Sequence, residues 1–241
     1  MNREELFLEY LSTCMKNLQI CGQGNPNADI LIIGQEQASD VDLSKQDMYG
    51  EHLRSLVRNY DLCLRKELRC CPRDKKDPHN GKKIADTWLN YQKLINLIYP
   101  QNQAFLDIVD FEKHAFTTEL GSKARKNSLK DNQTAKEIAD RLVVLERSEF
   151  IQSFPIVILA CSNYIENNKN VREIDRTFHV EFCKEYGDKK SRNRFWTHTD
   201  KCNPERLVIH TRQFSNGISN KMIECMAEVI KSHIENQLKN K

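Results

Sequence analysis

The chain is poor in the two residues that break regular structure, with 8 glycines and 6 prolines among 241 residues. Hydrophobic residues make up 39% of the chain and charged residues 29%. This balance excludes collagen-like and low-complexity material and predicts a folded protein. The length suits one well-buried domain, so we expect a single domain over residues 1–241.

The sequence also has no long hydrophobic run. Its most apolar stretch, Pro155 to Ile165, is about half the roughly 20 residues that a transmembrane helix needs. The first residues include Glu4 and Glu5, where a secretory signal would be basic and then apolar. We therefore expect a cytoplasmic protein that does not engage a membrane.

Neither charge nor cysteine content is strongly one-sided. The net charge of +3 and the pI of about 8.3 neither demand nor exclude a DNA partner. The 9 cysteines include no Cys-x-x-Cys pair, which favours reduced thiols. Vicinal Cys70 and Cys71 are a metal or redox candidate, but no second pair stands at finger-like spacing. We predict no metal and no cofactor.

Four short runs rich in aliphatic or β-branched residues predict strands, at residues 29–33, 114–118, 155–160 and 206–210. The first, third and fourth are continuously apolar, as expected for strands that helices cover on both faces. Apolar stripes at helical spacing predict four helices between and around them. These stripes are Leu6–Tyr10–Leu11–Met15, Trp88–Tyr91–Leu94–Ile95–Ile98, Ile138–Leu142–Leu145–Phe150 and Met222–Cys225–Met226–Val229–Ile230–Ile234.

The alternation of strand and helix predicts an α/β fold: a three-layer α/β/α sandwich with a small, mostly parallel four-stranded sheet. Residues 59–86 and 167–204 are less regular and are interpreted as loops with short helices. The second segment contains Lys189 to Arg194 followed by Phe195, Trp196 and His198. It is either a backbone-binding, base-stacking surface or a solvated charged turn whose two aromatic residues anchor it to the core.

Polar side chains collect where two predicted strands end. Gly34 breaks the first strand just before Glu36, and His210 ends the fourth. Ligands of such sheets bind beyond the carboxyl ends of the strands, so neighbouring strands would bring Glu36 and His210 to one crevice. There they could share proton transfer or stabilise a developing cation. Taken singly, Glu36 also suits a helix start and His210 a hydrogen-bonded strand end.

Two of these segments resemble motifs of the uracil-DNA glycosylase superfamily. Gly34-Gln35-Glu36-Gln37-Ala38 is similar to a first motif such as GQDPY or GEAPG. His210-Thr211-Arg212-Gln213-Phe214-Ser215 is similar to a second motif such as HPSPLS. The apolar run at 155–160 stands where the family has its third strand. The resemblance implies a uracil-DNA glycosylase-like fold across nearly the whole chain.

The resemblance also implies roles for individual residues. Glu36 would orient water or stabilise the oxocarbenium-like sugar cation, and His210 would donate to a carbonyl oxygen of the leaving base. Phe214 would wedge into the base stack while the target nucleotide is extruded. Arg212 and Ser215 would contact the nucleic-acid backbone, with Arg212 in place of a serine that normally touches phosphate.

Departures from the motifs bear on the substrate. Gln37 replaces a proline and Ala38 replaces the tyrosine that blocks thymine, so the resemblance implies a wider pocket that Gln35 and Gln37 line. Glu119 stands where the family often has an asparagine that reads the pyrimidine edge. An ionised carboxylate only accepts hydrogen bonds, so Glu119 suits an exocyclic amine better than a carbonyl. We therefore expect that uracil is not the preferred base.

These observations predict a monomeric DNA glycosylase-like protein that acts on a damaged or non-standard base in DNA, or on a related nucleoside. The alternative is a catalytically inactive module of the same fold that binds nucleic acid or a nucleotide. A third class, a hydrolase with a serine or Cys161 nucleophile, lacks the Gly-x-Ser-x-Gly context, and a buried structural role suits Cys161 better. The early Cys-x-x-Cys of the iron–sulfur branch is missing, which predicts no cluster.

Overall fold

A computed structural model describes residues 1–17, 19–35, 73–74, 86–100, 108–121, 132–188, 190–200, 206–215 and 217–239. The helices are α1 (Arg3–Lys16), α2 (Asp86–Ile98), α3 (Asn132–Arg147), α4 (Glu149–Gln152), α5 (Glu173–Phe178) and α6 (Asn220–Lys239). The strands are β1 (Gln23–Gly24), β2 (Ile30–Gly34), β3 (Arg73–Asp74), β4 (Ile108–Val109), β5 (Ala115–Glu119), β6 (Ile156–Ala160), β7 (Glu181–Tyr186), β8 (Phe195–Thr199) and β9 (Leu207–Thr211).

The central sheet has seven strands in the order β1-β5-β2-β6-β9-β8-β7. Its middle consists of β5, β2, β6 and β9, which are adjacent and parallel. These are the four strands predicted from sequence. β1 adds an antiparallel edge on one side, and β8 and β7 add two antiparallel strands on the other. β3 and β4 form a separate two-stranded sheet.

The predicted four-stranded sheet is therefore too small. Two of the missing strands, β7 and β8, lie in the segment at 167–204 that was interpreted as loop with short helices. β7 reads Glu-Phe-Cys-Lys-Glu-Tyr and is exposed or half-buried along its length. An edge strand of this kind carries no apolar run, so the sequence criterion that found the central strands does not detect it.

Every residue of β2, β6 and β9 is buried, because each strand packs against helices on both faces. Along β2 and β6, alternate residues serve two hydrophobic cores. Leu31 and Val157 face the core formed with α1, α3, α4 and α5. Ile32 and Ile158 face the core formed with α2 and α6. The chain is thus a mixed α/β fold with a mostly parallel central sheet.

The four predicted helices are present, and one of them is divided. α1 begins at Arg3, where Asn2 and Glu5 form a reciprocal capping box. The predicted stripe from Ile138 to Phe150 spans two helices, because α3 ends at Arg147 and the Ser148 side chain caps α4. Within the described ranges, no helix has both the length and the apolarity needed to cross a membrane.

A buried arginine connects α3 to the sheet. Arg141 is fully buried, and its guanidinium donates to six groups on α1, on the segment after it and on β5. These are Tyr10 Oη (2.7 Å), Cys14 Sγ (3.5 Å), Gln19 Oε1 (3.0 Å), the Ile20 carbonyl (2.8 Å), Thr118 Oγ1 (2.8 Å) and the Glu119 carbonyl (3.2 Å). The guanidinium therefore satisfies several buried acceptors that would otherwise lack donors.

Replacing Arg141 with Met should lower the free energy of unfolding by about 3–5 kcal/mol, because the variant keeps the aliphatic stem but leaves buried acceptors without donors. Guanidinium denaturation measures this loss. Arg147→Met is the matched control, because Arg147 is exposed on the same helix and should change stability by about 0.5 kcal/mol or less. Equal effects of the two substitutions would contradict the role given to Arg141.

Candidate nucleobase-binding site

The carboxyl ends of the four parallel strands meet at one edge of the sheet. The register pairs Gly34 with Glu119 across β2 and β5, and Leu159 with His210 across β6 and β9. Gln35, Glu119, Cys161 and His210 therefore stand at this edge, as the sequence analysis expected for strand ends. Glu36, Gln37 and Ala38 of the first motif lie outside the described residues, so the approach of Glu36 to His210 remains a prediction.

Gln35 connects the ends of three of these strands. Its side-chain amide donates to the Cys161 carbonyl at 3.2 Å, directly after β6. Its own carbonyl accepts from the backbone N–H of Gly121, beyond β5. Gln35 is half-buried, which agrees with a place in the wall of a crevice, and its amide holds the ends of β2 and β6 at a fixed distance.

Glu119 packs its carboxylate directly against Gly34. A Cβ at Gly34 would overlap the carboxylate oxygens of Glu119, so a larger residue there would displace the end of this flexible side chain. Burial, with the Glu119 charge as the next contribution, raises the pKa of the Tyr91 phenol and of the Cys161 thiol. The Glu119 carboxylate therefore lies at the carboxyl edge, against Gly34 and near the buried side chains of Tyr91 and Cys161.

Cys161 is fully buried, and burial raises the pKa of its thiol. A protonated, inaccessible thiol is a poor nucleophile. The expectation that Cys161 is buried is therefore confirmed, and its structural role stays a prediction. Among the described cysteines, Cys14, Cys21, Cys161, Cys183 and Cys225 are free thiols, and the Cys70–Cys71 pair lies outside the described residues.

His210 is buried at the end of β9, with 5% of its surface exposed, and both ring nitrogens have partners. Nδ1 lies 3.1 Å from Nδ2 of Asn167, and Nε2 lies 2.7 Å from the carbonyl oxygen of Ser162. Ser162 has a left-handed backbone with φ of 53°. Its hydroxyl accepts from the backbone N–H of Gln213 at 3.2 Å. Ser162 thus contacts both His210 and Gln213, the two ends of the segment 210–213.

A second buried histidine lies beside the first. His198 on β8 is fully buried, with Nε2 at 3.2 Å from the same Asn167 Nδ2 and Nδ1 at 2.6 Å from Asp175 Oδ1. The Arg172 guanidinium donates to Asn167 Oδ1 at 2.8 Å. The Asn167 amide therefore contacts both histidines and Arg172, and Asp175 joins this network through His198.

Burial keeps both imidazoles uncharged. It lowers the pKa of His210 to about 4, although the hydrogen bond to the Ser162 carbonyl acts in the opposite direction. Burial also lowers the pKa of His198, against the raising effect of Asp175. A neutral imidazole has one N–H and one acceptor nitrogen. At neutral pH each ring therefore offers a single donor.

The aromatic residues that begin β8 follow the basic residues, and one of them packs onto this network. Trp196 stacks on the His210 ring with centroids 5.3 Å apart, and the Arg194 guanidinium lies 4.9 Å from the Trp196 centroid. Phe195 is buried and stacks on Tyr186 at 4.6 Å. These contacts favour the interpretation in which the two aromatic residues anchor the segment, because both are already engaged within the protein.

The placement of Phe214 does not fit an exposed wedge. Its side chain is fully buried and packs against Tyr91 of α2 with ring centroids 5.1 Å apart. The Asn90 side chain donates to the Phe214 carbonyl at 2.8 Å. The segment after β9 turns inward towards α2, because an aromatic side chain gains more from the core than from solvent.

The two residues predicted to contact the nucleic-acid backbone lie on this same segment. Arg212 and Ser215 are both half-buried. The Arg212 guanidinium donates to the Gly217 carbonyl at 3.2 Å. This contact closes a turn at the carboxyl edge, and Arg212 adds positive charge there.

The residues that organise the site were not found from sequence. Asn167, Asp175 and His198 all fall in the polar segment at 167–204, where the sequence analysis named only His198, as part of the basic and aromatic segment and not as a partner of His210. The one available signal was a pair of histidines, His198 and His210, within a short distance in sequence. Among the described residues, no group of three or more His, Cys, Asp or Glu side chains is placed to hold a metal ion.

No family model matches the chain, and no curated protein matches it.

The buried histidines predict a loss of stability in mild acid. The unfolded chain protonates His210 near pH 6.5, whereas the folded protein does so near pH 4. The neutral His210 ring contributes about 3 kcal/mol to the free energy of unfolding. This contribution is complete above about pH 6.5 and is lost as the pH falls towards 4. His210→Gln should therefore make the decline in unfolding free energy between pH 7 and pH 4.5 shallower. An unchanged decline by chemical denaturation would contradict this assignment.

Proposed function

We propose that this protein is a DNA glycosylase-like enzyme that hydrolyses the N-glycosidic bond of a damaged or non-standard base. The observation that carries the proposal is His210, a neutral imidazole at the carboxyl edge of the parallel sheet, whose Nε2 lies against a carbonyl oxygen. A leaving base presents the same chemical group, a carbonyl oxygen on which negative charge develops. The resemblance of the two motifs to the uracil-DNA glycosylase superfamily supports the same activity.

In this reaction the bond between the sugar C1′ and the base nitrogen breaks, and its electron pair leaves with the base. Water adds to C1′ and loses a proton, and the departing base gains a proton, so that the products are the neutral free base and an abasic sugar. An N–H donor in a buried site stabilises the leaving base more strongly than the same donor in water. We assign this donation to His210, and the orientation of water and stabilisation of the sugar cation to Glu36.

The position of Glu119 favours a substrate nucleobase that carries an amino group. Its carboxylate lies at the same edge as His210, beside Gly34 and among buried side chains. A carboxylate accepts hydrogen bonds and repels a carbonyl oxygen. The preferred base would accordingly present an exocyclic amine to Glu119 and a carbonyl oxygen to His210. Gln35, which spans the ends of β2 and β6, would form part of the wall of the same pocket.

A second candidate function is binding without catalysis, to nucleic acid or to a nucleotide. Two observations favour it: His210 Nε2 is bonded to the Ser162 carbonyl, and Phe214 is in the core. A protein in this arrangement keeps the crevice and the basic side chains around it. Catalysis requires that the base displace the Ser162 carbonyl from His210, and binding does not.

A strand-nicking assay separates the two functions. Duplex and single-stranded oligonucleotides carry either 8-oxoguanine or 5-methylcytosine, which have an exocyclic amine, or uracil, hypoxanthine, xanthine or a mismatched thymine, which have none. They are incubated with the full chain and then treated with alkali. We expect cleavage at one base, and a decrease of about 100-fold or more in His210→Ala and Glu36→Gln. The matched controls are His179→Asn and Glu149→Gln, because both residues are exposed and should retain wild-type cleavage.

The outcomes of this assay differ for each function. Cleavage that both site substitutions abolish and both controls retain supports the glycosylase. Salt-sensitive DNA binding without cleavage at any base supports the binding module. If the protein neither cleaves nor binds the oligonucleotides, both functions are rejected.

Glu119→Gln tests the preference for an amino-bearing base. The amide keeps the size of the side chain and adds a donor, so it should weaken recognition of an amine and improve recognition of a carbonyl by about tenfold or more. Competition binding or cleavage with paired substrates that differ only in this group measures the change. Robust excision of uracil by the unmodified protein would contradict the proposed role of Glu119.

A further inference from the structure

We propose that Asn167 is a positioning residue: held by Arg172, its side-chain amide donates to both His198 and His210 and sets the tautomer of each ring. The inference rests on the proposed function only for its role in catalysis. The hydrogen-bond arrangement itself follows from the contacts of five side chains and is testable without any activity.

Arg172 determines which way the amide points. A guanidinium has only donors, so the Asn167 atom at 2.8 Å from Arg172 Nη1 must be the carbonyl oxygen. The amide nitrogen then faces the two histidines, at 3.2 Å from His198 Nε2 and 3.1 Å from His210 Nδ1. An amide nitrogen offers two protons and no acceptor. Each histidine nitrogen that faces it is therefore unprotonated.

The far side of His198 agrees with this assignment. With Nε2 as acceptor, the neutral ring carries its proton on Nδ1, which lies 2.6 Å from Asp175 Oδ1. A carboxylate accepts that proton in a charge-assisted hydrogen bond. Asp175 thus stabilises the same tautomer that Asn167 requires.

The far side of His210 agrees as well. With Nδ1 as acceptor, the proton stands on Nε2, which lies 2.7 Å from the carbonyl oxygen of Ser162. A backbone carbonyl is only an acceptor, so the opposite tautomer would leave two acceptors facing each other. Trp196 covers one face of the ring. The orientation and the tautomer of His210 are therefore fixed together.

Burial, and not the surrounding charges, accounts for the neutral state of His198. His198 faces Asp175 on α5 and Arg172 at the start of that helix, with opposite effects on its charge. His210 faces His198, and a charge on either ring disfavours a charge on the other. Protonating His210 at Nδ1 would place that proton against the donor nitrogen of Asn167. The amide thus acts as a local barrier to protonation.

The arrangement restricts what the site accepts. A ligand that takes the place of the Ser162 carbonyl meets an N–H and must present an acceptor, such as a carbonyl oxygen or an unprotonated ring nitrogen. An amino group at that position would meet a donor and be rejected. Asn167 therefore contributes to base selection from a position behind His210.

Nitrogen-15 NMR of the histidine rings tests the proposal in the full-length protein, because protonated and unprotonated ring nitrogens resonate separately. We expect the proton of His198 on Nδ1 and that of His210 on Nε2, both rings neutral at pH 7. A proton on His210 Nδ1, or a charged His210 ring at pH 7, would overturn the proposal without the need for any variant.

Asn167→Asp tests the cause. The isosteric carboxylate has no donor, so the two facing nitrogens gain protons. We expect the pKa of at least one ring to rise by about 1–3 pH units, measured by nitrogen-15 NMR titration. Asn168→Asp is the matched control: it introduces the same charge one residue away, on an exposed side chain whose oxygen already accepts from the N–H groups of Asn170 and Val171. Unchanged rings in Asn167→Asp, or equal shifts in both variants, would overturn the proposal.

This test and the test of the proposed function fail separately. Wild-type protein with the expected tautomers but no base excision keeps the positioning role and rejects the enzyme. Base excision with a proton on His210 Nδ1 rejects the positioning role and keeps the enzyme. If the protein excises a base, Asn167→Asp should lower kcat and shift the acidic limb of its pH profile upward, whereas Asn168→Asp should keep the wild-type profile.

Discussion

Burial of the parallel strands on both faces is the constraint on which the rest of the structure depends. It requires β2 and β6 to be apolar along their full length and β9 to be apolar from Leu207 to Ile209, so polar groups that act together collect where those strands end. The same burial places any polar group near the sheet in a medium where an unmet hydrogen bond is costly. The ends of the strands therefore carry a dense set of mutually satisfied side chains, and the candidate site is built from these.

Two buried networks meet this requirement in different ways. Arg141 is a permanent charge whose donors are shared among neutral oxygens, a sulfur and backbone carbonyls, which suits a group that holds α1, α3 and β5 together. The histidines are instead kept neutral, and Asn167 assigns a direction to each of their hydrogen bonds. The first network stabilises the fold on one side of the sheet. The second leaves a defined donor at the carboxyl edge, where a ligand can compete for it.

Short runs rich in aliphatic or β-branched residues predicted the four central strands to within one residue at either end, and the apolar stripes located the principal helices, because these patterns report burial directly. β7 was missed because an exposed edge strand has no such run. β8 was missed because polar residues interrupt its aromatic ones, although its residues are buried or half-buried. His210 was found from its position after an apolar strand. Its partners were not, because the contact of Asn167 with His210 joins residues 43 positions apart and depends on how α5 and β8 pack. The inward turn of Phe214 was likewise a tertiary effect, determined by space beside Tyr91.

The backbone conformation of Ser162 affects how readily a ligand could replace its carbonyl as the hydrogen-bond partner of His210. A left-handed conformation at a residue other than glycine costs about 1 kcal/mol or more, and here the surrounding contacts maintain it: the carbonyl bonded to His210 and the hydroxyl bonded to the Gln213 amide. Two hydrogen bonds thus hold Ser162 in a strained conformation. An incoming acceptor that displaced its carbonyl from His210 would release this strain as the peptide rotated, and the relaxation would offset part of the cost of losing the internal bond.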